Sequence, residues 1–278
     1  MKIKLADNAG FCFGVKRAID IVKKEAKTKK LEIFGDLVHN PVVVDSLRKK
    51  GIKIVYKIDD ITAENIVITA HNTDDKTKEL LKKKANIIDT ACPHVKHVHN
   101  TSKEMEKQGY QVLIIGKKEH IEVQGISGNL TNPIIILNKE DIIKNLDLVK
   151  NKKIGCVVQT TMNLEKTKKI TEELKKLASE FWFENTICDA TRKRQESAQK
   201  IAKEADIMLV IGGCNSSNTI ELKKVCEKYT TTYHIESAEE LKREWFEQVN
   251  FVGITAGAST PNISIKRVIE KINYFKLN

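Results

Sequence analysis

No two of the six cysteines are spaced as C-x-x-C, so the chain lacks both a thioredoxin motif and a local zinc knuckle. It also lacks long apolar runs. The longest, Ile207 to Gly213, falls far short of the roughly 20 residues a membrane helix needs, and no membrane partner is expected. Prolines number only 4 and aromatic residues make up 5%, and no low-complexity segment or long linker interrupts the chain. Arginine is scarce, and the aromatic-basic interleaving of single-strand readers is missing, so nucleic acid is not expected as a partner. The N-terminus has no signal or transit character. A cytoplasmic location follows as the expectation, and disulfides are rare there.

What is present suits a globular protein of two or three small domains: 278 residues, of which 41% are hydrophobic. The net charge of +11 comes almost entirely from lysine, spread along stretches such as Lys23 to Lys30, Lys76 to Lys84 and Lys166 to Lys176. Lysines so spaced form solvated helix faces. The resulting field attracts an anionic substrate or an acidic protein donor.

Short β-rich runs alternate with amphipathic, lysine-rich runs of helical length. Predicted strands include Leu31 to Leu37, Ile66 to Ala70, Gln111 to Gly116, Lys153 to Thr160, Phe181 to Thr186, Ile207 to Gly212 and Phe251 to Ala256. Predicted helices between them include Val15 to Lys29, Val95 to Gln108, Met162 to Ser179 and Ala190 to Ala205. Such alternation predicts an α/β fold with mainly parallel sheets, whose ligand sites lie beyond the carboxyl ends of the strands. Cys12, Cys92 and Cys188 divide the chain into intervals of 80 and 96 residues and leave a tail of similar length. We therefore expect three similar small units: 13–92, 93–187, and 188–278 with 1–12 associated.

These three cysteines share one setting. Cys12 lies in Asn8-Ala-Gly-Phe-Cys-Phe-Gly14 at the start of a helix, Cys92 follows Ile87-Ile-Asp-Thr-Ala91 and precedes Pro93, and Cys188 precedes Asp189-Ala-Thr-Arg192. A helix start offers unpaired amide donors and lowers a thiol's pKa. Cys156, inside a strand, and Cys226, on a helical run, read as small buried hydrophobes. Cys214, in Gly212-Gly-Cys-Asn-Ser-Ser-Asn218, is a conceivable fourth ligand. His94, His97 and His99 fan around their helix rather than converging, which argues against zinc. His39, His71 and His120 instead follow strand ends in one register, as an anion-binding ring would. Glu122 is a possible acid; taken alone it reads as an ordinary surface carboxylate. Gly213-Cys-Asn-Ser-Ser-Asn-Thr219 and Ala256-Gly-Ala-Ser-Thr-Pro261 suit a small diphosphate at helix starts, and neither is a Walker or Rossmann fingerprint.

Together these motifs resemble the 4-hydroxy-3-methylbut-2-enyl diphosphate reductases of the non-mevalonate isoprenoid pathway. The resemblance runs over nearly the whole chain: Gly10-Phe-Cys-Phe-Gly-Val-Lys-Arg-Ala18, Val38-His-Asn-Pro41, Asp89-Thr-Ala-Cys-Pro93, His120-Ile-Glu122, Gln159-Thr-Thr161, Asn185-Thr-Ile-Cys188, Asn215-Ser-Ser-Asn-Thr219 and Thr255-Ala-Gly-Ala-Ser-Thr-Pro261. It implies a trefoil of three α/β units around one 4Fe-4S cluster, with Cys12, Cys92 and Cys188 as ligands. Cys214 falls where the family is variable. It further implies that His39, His71 and His120, with Ser216, Ser217, Asn218 and Ser259, hold the diphosphate, and that Glu122, helped by Thr160, delivers protons to the leaving hydroxyl, with His120 counted among the catalytic residues too. The substrate hydroxyl would meet the iron that has no protein ligand, and reduced flavodoxin or ferredoxin would supply electrons.

Two departures stand out. Thr69-Ala-His-Asn72 replaces the family's usual Arg-Ala-His-Gly, a change expected to bear on the turn that aims His71. Ile121 replaces the usual proline. Rival readings of the same residues are a redox or oxygen sensor holding a cluster on the three cysteines, and a metal-dependent phosphohydrolase using the histidines.

Overall fold

Strands and helices alternate much as the apolar periodicity predicts, in a computed structural model that describes residues 1–277. The first part of the chain forms β1 (Lys2–Leu5), α1 (Phe13–Glu25), β2 (Leu31–Phe34), α2 (Pro41–Arg48), β3 (Lys53–Val55), β4 (Asn65–Ile68), α3 (Asp75–Lys84) and β5 (Asn86–Asp89). There follow α4 (Pro93–Lys107), β6 (Gln111–Ile115), α5 (Ile121–Ser127), β7 (Ile134–Ile136), α6 (Lys139–Lys144), α7 (Leu146–Val149), β8 (Lys153–Val158), α8 (Leu164–Leu177) and β9 (Glu180–Phe183). The last part forms α9 (Asp189–Ala202), β10 (Ile207–Ile211), α10 (Ser217–Cys226), β11 (Thr231–Ile235), β12 (Phe251–Ala256) and α11 (Asn262–Leu277).

Among the described residues the strands pair into three four-stranded sheets, ordered β3-β2-β4-β5, β7-β6-β8-β9 and β11-β10-β12-β1. Every pairing is parallel. This is the α/β fold of three similar units that the sequence predicts. Each sheet has the same internal order: its first strand lies between its second and third, and the fourth flanks the third. In the last sheet the chain start supplies the fourth strand, β1, which the strand prediction had left out. The predicted strand Leu31 to Leu37 stops at Phe34 because the chain turns at Gly35, whose φ of +79° suits glycine.

By packing, the chain divides into two compact units. One comprises Met1–Lys16, Val38–Lys50 and the chain from Asp189 onward; the other comprises Arg17–Leu37 and Gly51–Cys188. The first unit carries the sheet ending in β1. Its core has Leu209, Ile211, Ile254, Val268 and Ile272 on one face, and Met208, Val210, Leu222 and Cys226 on the other. The second unit carries the other two sheets, and β6 with β8 shows why both faces must be covered. Leu113, Ile115, Ile154 and Val158 pack on one side, while Val112, Ile114 and Val157 meet Val98 and Met105 of α4 on the other. No helix of the described residues is long and apolar enough to cross a membrane.

Candidate functional site

The repeated sheet order places the polar residues in equivalent positions. His39, His120 and the Ser216-Ser217-Asn218 run follow the first strands, β2, β6 and β10; His71, Thr160 and Ser259 follow the third strands, β4, β8 and β12; Cys92, Cys188 and Cys12 follow the fourth, β5, β9 and β1. The three cysteines share a backbone bond as well. The amides of Cys92, Cys188 and Cys12 donate to the carbonyls of Ala70, Thr160 and Ala258 at 3.0, 3.1 and 3.0 Å. Each cysteine is thereby tied to the residue, or the neighbour of the residue, that carries the polar group after the third strand. All three are half-buried and immediately precede a helix, α1, α4 or α9. The Val15 amide points at the Cys12 Sγ from 3.5 Å.

In the second unit Glu122 is a buried acid. It lies in the first turn of α5 and is 1% exposed. Its Oε1 accepts from the Thr160 amide and its Oε2 from the Thr160 Oγ1, both at 2.7 Å. Burial pushes its pKa from the usual 4.5 up to about 7, against the two Thr160 bonds, which lower it. The isolated sequence reading of a surface carboxylate is thus wrong for this residue. Thr160 also accepts the Cys188 amide, so one residue touches both the acid and a cysteine.

His120 caps α5, and its Nδ1 accepts from the Glu122 amide at 3.2 Å. That bond leaves the ring proton on Nε2, where it can be donated to an anion. The rings of His71 and His120 meet edge to face with centroids 5.9 Å apart. The Gln159 Oε1 accepts from the Lys117 amide at 3.0 Å and so fixes the loop that leads to His120. Sequence reasoning gave Gln159 no role of its own, although a polar residue closing an apolar strand is a signal for one.

In the first unit Ser216 is the N-cap of α10, its side chain accepting from the Thr219 amide at 3.4 Å. Ser217 and Asn218 open the helix and are buried. The Asn218 Oδ1 accepts from the Ala258 amide at 2.9 Å, while its Nδ2 is buried without a hydrogen-bond partner. An unsatisfied buried donor costs about 1 to 3 kcal/mol, a cost that an anionic ligand would remove. The Ser259 Oγ donates to the His39 carbonyl at 3.0 Å. A Cβ at Gly213 would stand 2.9 Å from that same carbonyl, so glycine is what lets the histidine loop approach. Asn40 caps α2 and secures the loop from the other side.

The remaining candidates stay apart. Cys156 and Cys226 are fully buried, and burial raises both thiols, Cys226 to about 12. Cys214 is exposed, and its amide donates to Glu236. His94 and His97 are exposed, whereas His99 is buried against Asn129 and depressed by burial to about 4. Among the described residues no three His, Cys, Asp or Glu side chains gather around a single ion. Three thiols, with no hard ligand among them, suit iron and sulfide better than a lone hard cation. In a cluster each thiolate would hold its own iron, so the three need not converge on one point.

A family model described as "LytB protein" matches residues 3–273. A 4-hydroxy-3-methylbut-2-enyl diphosphate reductase of Caldanaerobacter subterraneus is 42% identical over 284 residues, covering 99% of this chain and 98% of its own. One of the same name from Clostridioides difficile is 42% identical, with 97% and 98% covered. Two solved structures are also similar. The first, of (E)-4-hydroxy-3-methyl-but-2-enyl diphosphate reductase, has a TM-score of 0.70 at 38% identity and covers 98% and 99%. The second, of the Plasmodium falciparum E-1-hydroxy-2-methyl-but-2-enyl-4-diphosphate reductase, has a TM-score of 0.91 at 28% identity, covering 97% of this chain and 87% of that one. With matches that run nearly end to end and a fold in common, the chain belongs to the LytB family.

Proposed function

We propose that the protein catalyses the reductive dehydration of 4-hydroxy-3-methylbut-2-enyl diphosphate, the final step of the non-mevalonate isoprenoid route. Two electrons and two protons convert the allylic alcohol into isopentenyl or dimethylallyl diphosphate and water. Cys12, Cys92 and Cys188 would hold one 4Fe-4S cluster. When bound, that cluster supplies electrons and an iron without a protein ligand that acts as a Lewis acid.

The protein's own residues do the rest. Ser216, Ser217, Asn218 and Ser259, with His39, His71 and His120, bind and orient the diphosphate. The Asn218 Nδ2 and the His120 Nε2 are donors suited to phosphate oxygens. Glu122 holds a proton near neutral pH and gives it to the departing hydroxyl, so that water leaves instead of hydroxide. Thr160 fixes both carboxyl oxygens in that task. Reduced flavodoxin or ferredoxin is the electron donor, drawn by a surface of charge +11. We place the reaction in the cytoplasm and keep 13–92, 93–187 and 188–278 with 1–12 as the working units.

The observation that carries this reading is the buried Glu122 tied through Thr160 to Cys188. A metal-dependent hydrolase has no use for such a pairing, and a sensor has none for the serine-rich anion cradle. The test is anaerobic purification with iron and sulfide analysis, followed by turnover of the hydroxy diphosphate with an artificial reductant. Conversion to the two five-carbon diphosphates is expected. A colourless protein that contains zinc and no acid-labile sulfide would refute it.

A further inference from the structure

Two arginines reach the backbone just ahead of two of the cysteines. Arg17, five residues beyond Cys12 on α1, donates through Nη1 to the carbonyls of Thr90 and Ala91 at 3.2 Å each. Those are the two residues before Cys92. Arg194, six residues beyond Cys188 on α9, donates through Nη2 to the Gly10 carbonyl at 2.7 Å. Gly10 stands two residues before Cys12, the position equivalent to Thr90. So in two instances the helix that starts at one cysteine sends a guanidinium to the turn that delivers another. The helix after Cys92 carries His97 at the corresponding place, and its Nε2 lies 3.5 Å from the Glu184 carboxylate. Both of those side chains are exposed, so the third link is the weakest.

These contacts are not incidental surface bonds. Arg194 is 1% exposed, and a guanidinium is seldom buried to that extent without a structural task. Gly10 has a φ of +92°, open to glycine and strained for other residues, so its turn gains from a fixed point. Arg17 meets both carbonyls through the one Nη1, and lysine, with a shorter reach and a more strongly hydrated head, is a poor substitute there.

We propose that Arg17 and Arg194 are positioning residues that set the Cys92 and Cys12 thiols, respectively, at the places a shared iron-sulfur cluster requires. The inference rests on the cluster reading above, but it concerns the order of each cysteine turn before anything is bound. It makes a site-specific prediction: each arginine controls its own cysteine and leaves the other two alone.

The experiment is native-state alkylation of the cluster-free, full-length chain with iodoacetamide, resolved by peptide mapping at Cys12, Cys92 and Cys188. Arg17→Ala should raise the Cys92 rate at least fivefold and leave Cys12 and Cys188 within twofold, and Arg17→Lys should restore only part of the protection. Arg194→Lys, which keeps the buried charge, should raise the Cys12 rate alone. Iron and sulfide per chain after reconstitution should fall in Arg17→Ala and Arg194→Lys, with an altered EPR spectrum of the reduced cluster. Arg48→Ala, on an exposed helix face, should match the parent throughout. Unchanged alkylation rates, or a rise at all three cysteines together, would overturn the proposal. A parent chain that takes up no iron and sulfide would instead sink the cluster reading, and the alkylation pattern would still decide the positioning role.

Discussion

Replacing Glu122 by glutamine separates its chemistry from its packing. The amide keeps the shape and keeps an oxygen for the Thr160 amide, while the Thr160 hydroxyl can turn to accept from the new NH2. A positioned general acid contributes about 10²- to 10⁴-fold, so kcat should fall by that factor, about 3 to 5 kcal/mol of barrier. Stability should move the other way. A carboxyl raised from 4.5 to about 7 reflects about 3 kcal/mol of bias toward the protonated form. Below pH 4.5 it is protonated in folded and unfolded chains alike. Between 4.5 and about 7 the unfolded chain ionises while the folded one keeps its proton, so folding stability declines as pH rises and the whole penalty is present above 7. Glutamine cannot ionise. Urea denaturation of Glu122→Gln should therefore match the parent near pH 4 and exceed it by up to about 3 kcal/mol at pH 8. In the parent, turnover should fall above pH 7 as the acid form is depleted. A variant that keeps kcat within a few-fold, or a stability gap that is equal at pH 5 and pH 8, would refute the reasoning.

Three further outcomes are expected. Thr160→Val removes one hydrogen bond to Glu122, worth about 0.5 to 1.5 kcal/mol to the protonated acid and more to its ionised form; kcat should drop about tenfold, and the alkaline limb of its pH profile should shift upward because that bond lowers the Glu122 pKa. Gly213→Ala puts a methyl 2.9 Å from the His39 carbonyl, so KM for the diphosphate should rise about tenfold by displacement of the loop, with kcat little changed in steady-state assays. Asn72→Ala should cost about 1 to 2 kcal/mol in denaturation curves, because Asn72 has a φ of +64°, whereas Asn72→Gly should hold or raise stability.

The placement of the candidate residues was legible from the chain alone because they follow strand ends, and strand ends are marked by the close of apolar runs. His39, His71, His120 and the three cysteines could be read that way. Burial was not legible. Glu122 sits on the seven-residue α5, too short for a periodic pattern to tell its inner face from its outer one, and its partner Thr160 lies 38 residues away. β1 escaped for a related reason: it is a short edge strand of four residues, mostly exposed, whose partner β12 comes near the other end of the chain. Arg17 and Arg194 were invisible as clamps because each bonds to backbone carbonyls, which carry no sequence signature at the receiving end.

The two departures from the family pattern show what a motif letter stands for physically. A glycine after the second histidine states a requirement for positive φ, and asparagine is the residue that meets it most readily after glycine. Asn72 does so, and its amide donates to the Thr69 carbonyl at 3.1 Å, so the turn that carries His71 survives the change. What asparagine adds is bulk and a buried Oδ1 without a partner. Ile121 is the first residue of α5, where proline is favoured because its φ suits a helix start and no amide is needed there. Isoleucine gives up that rigidity and breaks no bond, and the His120 cap holds the helix start in its place. Both residues line the same cavity of about 150 Å³ with Phe34, Tyr56 and Thr73. The two substitutions therefore meet in the lining of one cavity, each next in sequence to a histidine of the candidate site.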